Sequence, residues 1–300
     1  MPKLWIGIDG GATKTIARVE DGHGQLIGLG RSGSANIRWD AAGAWESIQG
    51  AIAEALNQGE IAWDDSQYQW YCGAGLAGTQ VPEACEHFLQ IQHPCNRFAG
   101  LKLHSDGYIS CLGAHGGQDG AVIAIGTGVV AYQIEGETVT RVSGWGFPQG
   151  DEGSGAWLGL QAIRQTFQWQ DGRDEGSPLT TAILDRFEGD FTRFMVWAND
   201  ATSKDFAAIA PIVINQAQAQ EPRAVALMQQ AAQEIDKIWS ALVSKQRQPL
   251  NCSLLGGIAP ALEPWLGESL RSRLVPAQQD AAQGAILMIR QAVKGSSFKP

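Results

Sequence analysis

Two glycine turns carry residue types that suit phosphate binding. The first follows an apolar segment at residues 3–8 and contains Asp9, Gly10, Gly11 and Thr13. Glycines allow backbone N–H groups to approach a polyphosphate closely, and a threonine adds a hydroxyl donor. A carboxylate at the end of a strand, here Asp9, suits Mg²⁺ held through its water shell. An ordinary hairpin with an Asp-Gly turn would have the same local sequence.

The second turn consists of Gly126, Thr127 and Gly128 and follows an apolar segment at residues 121–125. Taken alone it reads as another plain turn. It lies near the equivalent position of a weak repeat with a period of about 115 residues, which favours a shared phosphate-binding role. The chain has no G-x-x-x-x-G-K-[ST] motif, so a P-loop enzyme is not indicated.

Residues 73–78 match G-x-G-x-x-G, which opens the alternative of a dinucleotide-binding domain. A lone match is weak. Asp106, the next acidic residue at a strand end, lies later than the acidic residue of that motif. An antiparallel meander also precedes the match, and a Rossmann domain does not begin in that way.

The elements that must position these turns suggest two similar domains, each with a glycine turn at the equivalent place. Each turn belongs to a predicted three-stranded meander, and helices alternate with strands between the two meanders. This alternation predicts α/β layers with a mixed sheet. We expect strands at residues 3–8, 15–19, 25–29, 68–72, 101–105, 121–125, 129–134, 138–142 and 252–255, and helices at residues 41–58, 82–90, 107–114, 154–167, 179–187, 204–217, 224–244 and 277–294.

Composition excludes several classes of protein. The chain has 300 residues and a formal net charge of −9, which argues against nucleic-acid binding. No apolar stretch or leader-like segment indicates a membrane span or signal peptide, so we expect a cytoplasmic protein. The five cysteines form no C-x-x-C pair, and the five histidines show no metal-ligand spacing. We expect both sets to be structural: Cys72, Cys85, Cys95, Cys111 and Cys252; His23, His87, His93, His104 and His115.

Seven motifs in order resemble the N-acetylglucosamine and glucosamine kinases of the BadF/BadG/BcrA/BcrD ATPase family, within the actin–hexokinase–Hsp70 superfamily. They are IGIDGGATKT from Ile6, SGSANI from Ser32, GLAG from Gly75, SDGYISCLGAH from Ser105, IAIGTG from Ile123, GWGFPQGDEGSGAWLG from Gly144 and LLGGIA from Leu254. The resemblance covers essentially the whole chain.

The resemblance implies two ribonuclease-H-like (actin-like ATPase) domains with a central cleft. We expect one at residues 1–117 with a C-terminal helix at 277–300, and the other at residues 118–276. It implies ATP and Mg²⁺ as cofactors, an amino sugar as substrate and a homodimer. By motif, Asp106 would be the catalytic base that accepts the proton of the 6-hydroxyl. The phosphate loops would be Gly10, Gly11 and Thr13, with Asp9 near Mg²⁺, and Gly126, Thr127 and Gly128. Gly256 and Gly257 would face the adenosine, and Asn36, Gly78, Trp145, Gly146 and Asp151 would hold the sugar.

Several alternatives stay open at this stage. Asp106 could be a helix N-cap, Asn36 a turn residue, Asp151 a helix-start acid and Trp145 a packing residue. Val129 stands where many relatives have serine after the second G-T-G, so that hydroxyl is absent. The motifs do not decide between N-acetylglucosamine and glucosamine. A related ATPase, the activator component of a dehydratase or reductase system, is the rival function, but it needs cysteines placed to share an iron–sulfur cluster.

Overall fold

The computed structural model describes residues 1–63, 65–92 and 97–295. The chain separates into two compact units. Unit 1 contains Met1–Gly120, Gln133–Val139 and Pro276–Pro300, and unit 2 contains Ala121–Tyr132 and Thr140–Val275. His93, Cys95 and residues 296–300 of the expected C-terminal segment lie outside the described residues. The domain boundaries expected from sequence stay a prediction.

Unit 1 is built on a five-stranded sheet with the order β3-β2-β1-β4-β5. The first three strands form the antiparallel meander that the sequence predicts, and β4 and β5 continue parallel to β1. The strands are β1 (Lys3–Gly10), β2 (Thr15–Glu20), β3 (Leu26–Ser32), β4 (Gln69–Leu76) and β5 (Phe98–Ser105).

Helices cover both faces of this sheet, which explains the continuous apolar character of β1. Leu4, Ile6 and Ile8 are fully buried in one core, whereas Trp5 belongs to a separate cluster on the opposite face. The helices of unit 1 are α1 (Ala41–Gln58), α2 (Pro82–Gln92), α3 (Asp106–Ala114) and α12 (Ala281–Lys294). α1 packs against β3 and β2, while α12 packs against β1, β4 and α3.

Unit 2 repeats the arrangement with a four-stranded sheet in the order β8-β7-β6-β9. β9 runs parallel to β6, as β4 does to β1. The strands are β6 (Gly120–Ile125), β7 (Val129–Glu135), β8 (Thr138–Ser143) and β9 (Cys252–Leu255). The tip of the β7–β8 hairpin is grouped with unit 1, where Gly136 N donates to an Asp119 carboxylate oxygen at 2.9 Å.

Eight helices of unit 2 pack around a large apolar core. They are α4 (Gly155–Gln170), α5 (Pro178–Asp185), α6 (Phe191–Asp200), α7 (Ser203–Ala207), α8 (Ala210–Gln218), α9 (Pro222–Val243), α10 (Ala259–Leu262) and α11 (Glu268–Arg271). The predictions here were wrong in two respects. α6, α10 and α11 were missed. The helix predicted at residues 204–217 is two helices, because Ala208 and Ile209 separate them and Pro211 lies in the first turn of the second.

The segment at residues 73–78 also differs from the expected glycine turn. Gly73 and Gly75 lie inside β4. A Cβ on Gly73 would lie 2.0 Å from the Ala285 carbonyl oxygen, and one on Gly75 would lie 2.3 Å from Ile109. These glycines therefore allow α12 and α3 to pack closely on the sheet, which removes the dinucleotide-binding alternative.

Candidate functional site

The first glycine turn lies at the carboxyl end of β1. Asp9 and Gly10 are the last residues of the strand, and Gly11 N donates to the Lys14 carbonyl oxygen at 3.0 Å. The Thr13 side chain is exposed. A Cβ on Gly10 would lie 2.5 Å from Leu76 Cδ2 and 2.9 Å from Ala35 Cβ, so close packing favours glycine here independently of any phosphate.

Asp9 is an electrostatically strained carboxylate. The pKa of Asp9 is raised to about 6, chiefly by burial and then by the nearby Asp106 carboxylate, with a smaller contribution from Asp280, while Lys14 lowers it. Asp9 and Asp106 are 97 residues apart in sequence, and the parallel pairing of β1, β4 and β5 brings them to the same sheet edge. Two acids that repel one another in a partly buried place favour the arrival of a cation.

Asp106 begins α3 directly after β5. One of its carboxylate oxygens accepts a hydrogen bond from Gly107 N at 2.8 Å. The alternative role of helix N-cap belongs to Ser105, whose hydroxyl accepts from Tyr108 N at 3.2 Å. Because its neighbour caps the helix, the N-cap requirement does not explain an acid at position 106.

Asn36, in the segment between β3 and α1, lies at the same edge of the sheet. Ala77 N donates to the Gly10 carbonyl oxygen at 2.8 Å, and Ile37 N donates to the Ala77 carbonyl oxygen at 3.1 Å. Asn36 therefore pairs with Ala77 where β1 has ended. Its Oδ1 accepts from Arg38 N at 3.1 Å, which leaves the amide nitrogen to donate elsewhere.

Gly78 has a structural reason to be glycine that depends on Asn36. Its φ is +91°, and a Cβ would lie 2.8 Å from both Asn36 Oδ1 and Arg38 N. A larger residue would collide with the amide and with the backbone that orients it. Among the residues predicted to hold the sugar, the structure brings together Asn36 and Gly78.

The second glycine turn joins β6 to β7 in unit 2. Gly126 N donates to the Gly128 carbonyl oxygen at 2.9 Å, and the first N–H groups of α4 donate to the carbonyls of Gly126 and Thr127. The Thr127 side chain is exposed, and a Cβ on Gly126 would meet no atom within 4 Å. The turn therefore exposes its backbone, and hydrogen bonds from the first residues of α4 hold it in place.

Gly256 and Gly257 lie beside this turn because β6 and β9 are parallel neighbours. Gly256 has a φ of +91°, and a Cβ there would lie 2.4 Å from the Ile125 carbonyl oxygen. Gly257 has no atom within 4 Å of its Cβ position. Two of the predicted nucleotide-contacting segments thus come together at one sheet edge, about one strand spacing of 4.8 Å apart.

Asp151 connects the second turn to the segment that contains Gly146. Burial raises its pKa, while hydrogen bonds from the backbone N–H groups of Val129 and Gly146 lower it. A Cβ on Gly128 would lie 2.5 Å from Asp151 Oδ2. Asp151 is buried with a φ of +64°, and Ser154 caps α4, so Asp151 is not that helix's N-cap.

Trp145 presents an exposed aromatic ring. It is 79% exposed, and the Arg141 guanidinium lies 5.2 Å from its ring centroid. Core packing, one of the two alternatives for this tryptophan, is therefore wrong, and the other, packing at a hinge, stays untested. Val129, by contrast, is 2% exposed in the core of unit 2, so a hydroxyl at that position would face the core and not solvent.

Sequence reasoning did not single out three residues that line the same cavity as Asn36, namely Trp39, Asp40 and Glu46. The sequence could have indicated Asp40, because an acid just before an amphipathic helix predicts an N-cap. The structure has Asp40 in that role, and its carboxylate accepts from Gly43 N at 2.8 Å. Nothing in the spacing of Trp39 or Glu46 marks either as part of a cavity.

The residues present fit a magnesium ion that is shared with phosphate. Over the described ranges, no group of three or more His, Cys, Asp or Glu side chains is placed to hold a metal by itself. Mg²⁺ commonly uses one or two carboxylates together with substrate phosphates and water. Asp9, which lies near Asp106, can supply the one carboxylate that such a site needs. Among the helices of the described residues, none combines the length and the apolar character of a membrane-spanning segment.

Comparisons with known proteins agree with this architecture. The chain is 35% identical to glucosamine kinase GspK of Vibrio cholerae over 94% of each chain, and 25% identical to N-acetyl-D-glucosamine kinase of Dictyostelium discoideum over 81% and 80%. A Chromobacterium violaceum structure described as a candidate N-acetylglucosamine kinase is 36% identical, with a TM-score of 0.85 over 95% of this chain and 98% of that one. The ROK hexokinase of Thermus thermophilus, at 17% identity and a TM-score of 0.59 over 97% and 99%, shares the fold. The family model described as "BadF/BadG/BcrA/BcrD ATPase family" matches residues 6–288, and the chain belongs to that family.

Proposed function

We propose that this protein is an ATP-dependent kinase that phosphorylates the 6-hydroxyl of an amino sugar, N-acetylglucosamine or glucosamine. The observation that carries the proposal is the pair of carboxylates, Asp9 and Asp106, at the carboxyl edge of one sheet. In this proposal Asp9 acts on the phosphate and its cation, and Asp106 acts on the alcohol. The names of the relatives at 35% and 25% identity support a sugar as acceptor.

Asp106 would act as the base. It lies at the end of β5 with its backbone fixed by α3, and its carboxylate is oriented by Gly107 N. A carboxylate is ionised at neutral pH, so it can orient the sugar hydroxyl and accept its proton as the phosphoryl group departs.

Asn36 would bind the sugar hydroxyls. β5, β4 and the position beyond β1 are successive places along the sheet, so Asp106 and Asn36 are about two strand spacings, roughly 10 Å, apart at the backbone. With a side chain extending from each, this spacing suits a hexose lying across Ala77 and Gly78. In unit 2, the exposed Trp145 ring offers an apolar face for a sugar or acetyl group. Gly146 and Asp151, from the same segment, would also contact the sugar.

Backbone groups of the glycine turns would bind the nucleotide. The open surfaces at Gly126 and Gly257 allow close approach of phosphate and adenosine, and the exposed Thr13 and Thr127 hydroxyls can donate to phosphate oxygens. Asp9 would hold Mg²⁺ through water, and that ion, when bound, neutralises charge on the β- and γ-phosphates.

A coupled assay of ADP release against a panel of hexosamines and glucose tests the proposal. We expect turnover with amino sugars, and the Asp106→Asn variant should lose at least about 100-fold in kcat while sugar affinity changes little. The matched control is Asp185→Asn, since Asp185 is exposed at the end of α5. NMR of the product gives the phosphorylated position. Near-normal turnover of Asp106→Asn would remove this residue from the mechanism, and a product phosphorylated elsewhere would refute the 6-hydroxyl.

The rival function as a dehydratase or reductase activator finds no support among the described cysteines. Cys72, Cys111 and Cys252 are buried, and burial raises the pKa of the Cys111 thiol to about 12. Buried, protonated thiols are poor ligands for a cluster shared with another chain. An iron-free, colourless preparation that turns over sugar would separate the two functions.

A further inference from the structure

The rings of His104 and Tyr108 form a stacked pair whose members lie on either side of Asp106 in sequence. The ring centroids are 3.7 Å apart, and the ring planes differ by 22°. His104 is the last residue but one of β5, and Tyr108 lies in the first turn of α3. The stack therefore ties the strand to the helix across the junction that carries the proposed base.

Hydrogen bonds join the same residues to one another. Nδ1 of His104 accepts from Ser105 N at 2.8 Å, and the Ser105 hydroxyl accepts from Tyr108 N at 3.2 Å. Burial, and after it the charge of Lys102, lowers the pKa of His104 to about 4. The ring is therefore neutral at pH 7, so Nδ1 remains an acceptor and Nε2 carries the proton.

These contacts act on the first turn of α3, ahead of residues that fix the helix to the rest of unit 1. Ile109 packs against Gly75 of β4. Gly113 lies against Asp280, the N-cap of α12. These two positions of α3 follow Asp106 by about one and two helical turns. Because Asp106 is the first residue of the helix, the direction of its carboxylate depends on how the first turn is held.

We propose that the stacked pair positions Asp106 for proton transfer, so that His104 and Tyr108 are positioning residues of the kinase. The inference rests on the proposed function, in which Asp106 accepts the proton of the sugar hydroxyl. A base must be held at hydrogen-bonding distance from that hydroxyl, and a displacement of about 1 Å can lower the rate by as much as about 100-fold. Loss of the stack should therefore slow the chemical step and leave the binding of sugar and ATP intact.

The variant Tyr108→Leu removes one ring of the pair. We expect kcat to fall about 10-fold while the KM values of sugar and ATP stay within about 2-fold, because the stack acts on the base and not on the binding groups. Tyr108→Phe keeps the ring and should retain kcat within about 2-fold. His104→Asn keeps an acceptor at the position of Nδ1 but loses the ring, so it should show the same fall in kcat as Tyr108→Leu.

A second stacked pair in unit 1 supplies the matched control, Tyr71→Leu. The rings of Tyr71 and Trp5 have centroids 4.9 Å apart and planes that differ by 25°. Tyr71 lies five residues before Leu76, the partner of Ser105 in the sheet, so about 16 Å of strand separates it from the junction. This variant should lower the melting temperature, as Tyr108→Leu does, and keep kcat within about 2-fold.

The outcomes separate this inference from the function on which it rests. A folded Tyr108→Leu protein with kcat within 2-fold of the natural chain overturns the positioning role while kinase activity stands. An equal loss of kcat in Tyr108→Phe or in Tyr71→Leu overturns it as well, because the stack at the junction would then not be the cause. If Tyr108→Leu does not fold, as judged by its melting curve, His104→Asn decides by the same criterion. Absence of turnover by the natural chain with either amino sugar overturns the proposed function itself.

Discussion

Replacing Gly78 with alanine tests whether Asn36 is a sugar ligand, because this glycine is in contact with it. The backbone at residue 78 has a φ of +91°, and the new Cβ would lie 2.8 Å from Asn36 Oδ1 and 2.8 Å from Arg38 N. Arg38 N is the group that orients the Asn36 side chain. The substitution therefore disturbs the amide without touching the nucleotide segments.

The magnitude has two parts. A non-glycine residue in the left-handed region costs about 1–2 kcal/mol of stability. This cost corresponds to a decrease in melting temperature of roughly 2–4 °C per kcal/mol for a domain of this size. Displacing Asn36 removes a hydrogen bond to the sugar worth about 1.4 kcal/mol or more, which is at least about tenfold in sugar KM.

The assay measures KM for amino sugar and for ATP separately, together with the melting curve. Gly172→Ala is the matched control, since Gly172 has a φ of +76° but no atom within 4 Å of its Cβ position. It should lose a similar amount of stability and keep its sugar KM. A folded Gly78→Ala protein whose sugar KM stays within 2-fold would show that Asn36 does not bind the sugar.

Three further outcomes are expected. Arg290→Met should lower the free energy of unfolding in urea by about 1–2 kcal/mol, because Glu20, only 2% exposed, loses the 3.0 Å ion pair with Arg290 and keeps the one with Arg18. Burial lowers the pKa of His104 to about 4, so the unfolded chain binds its proton first as pH falls from 6.5 towards 4. Stability should therefore decrease over that window, by about 1–2 kcal/mol after allowing for partial exposure, and His104→Gln should remove that part of the slope in urea titrations at each pH. Gly257→Ala should melt normally yet raise the KM of ATP several-fold, whereas Gly256→Ala should mainly lower the melting temperature, since its Cβ would meet the Ile125 carbonyl.

The sequence predicted most elements because local pattern and tertiary environment agree. α1 and β9 occur at the residues expected, and both meanders are present. The disagreements have different causes. The amphipathic pattern of α6, which begins after the N-cap Asp190, is present in the sequence and was overlooked. The glycines of β4 resemble a loop although they are packing residues.

The candidate site could be predicted only in part. The motif residues Asp9, Asp106 and Asn36 do converge on one sheet edge, which follows from strand topology. The role of Ser105 as the N-cap in place of Asp106 depends on side-chain geometry that two adjacent polar residues do not reveal. The cavity beside Asn36 depends on the angle at which α1 leaves its loop, and no spacing in the sequence encodes Glu46 as part of it.

The glycines fall into two groups according to the space around their Cβ positions. This distinction decides which glycines indicate a bound ligand. At Gly256 a Cβ would collide with the backbone of Ile125, so the fold already requires glycine there, and at Gly10 and Gly128 a Cβ would press on the side chains of Leu76 and Asp151. At Gly126 and Gly257 the same Cβ would meet nothing, and the fold gives no reason for glycine. Glycines with unfilled space at their Cβ positions, at the ends of neighbouring strands, are what we expect where a ligand must approach the backbone. The nucleotide proposal for unit 2 therefore rests on Gly126 and Gly257 and not on the glycine count of the motifs.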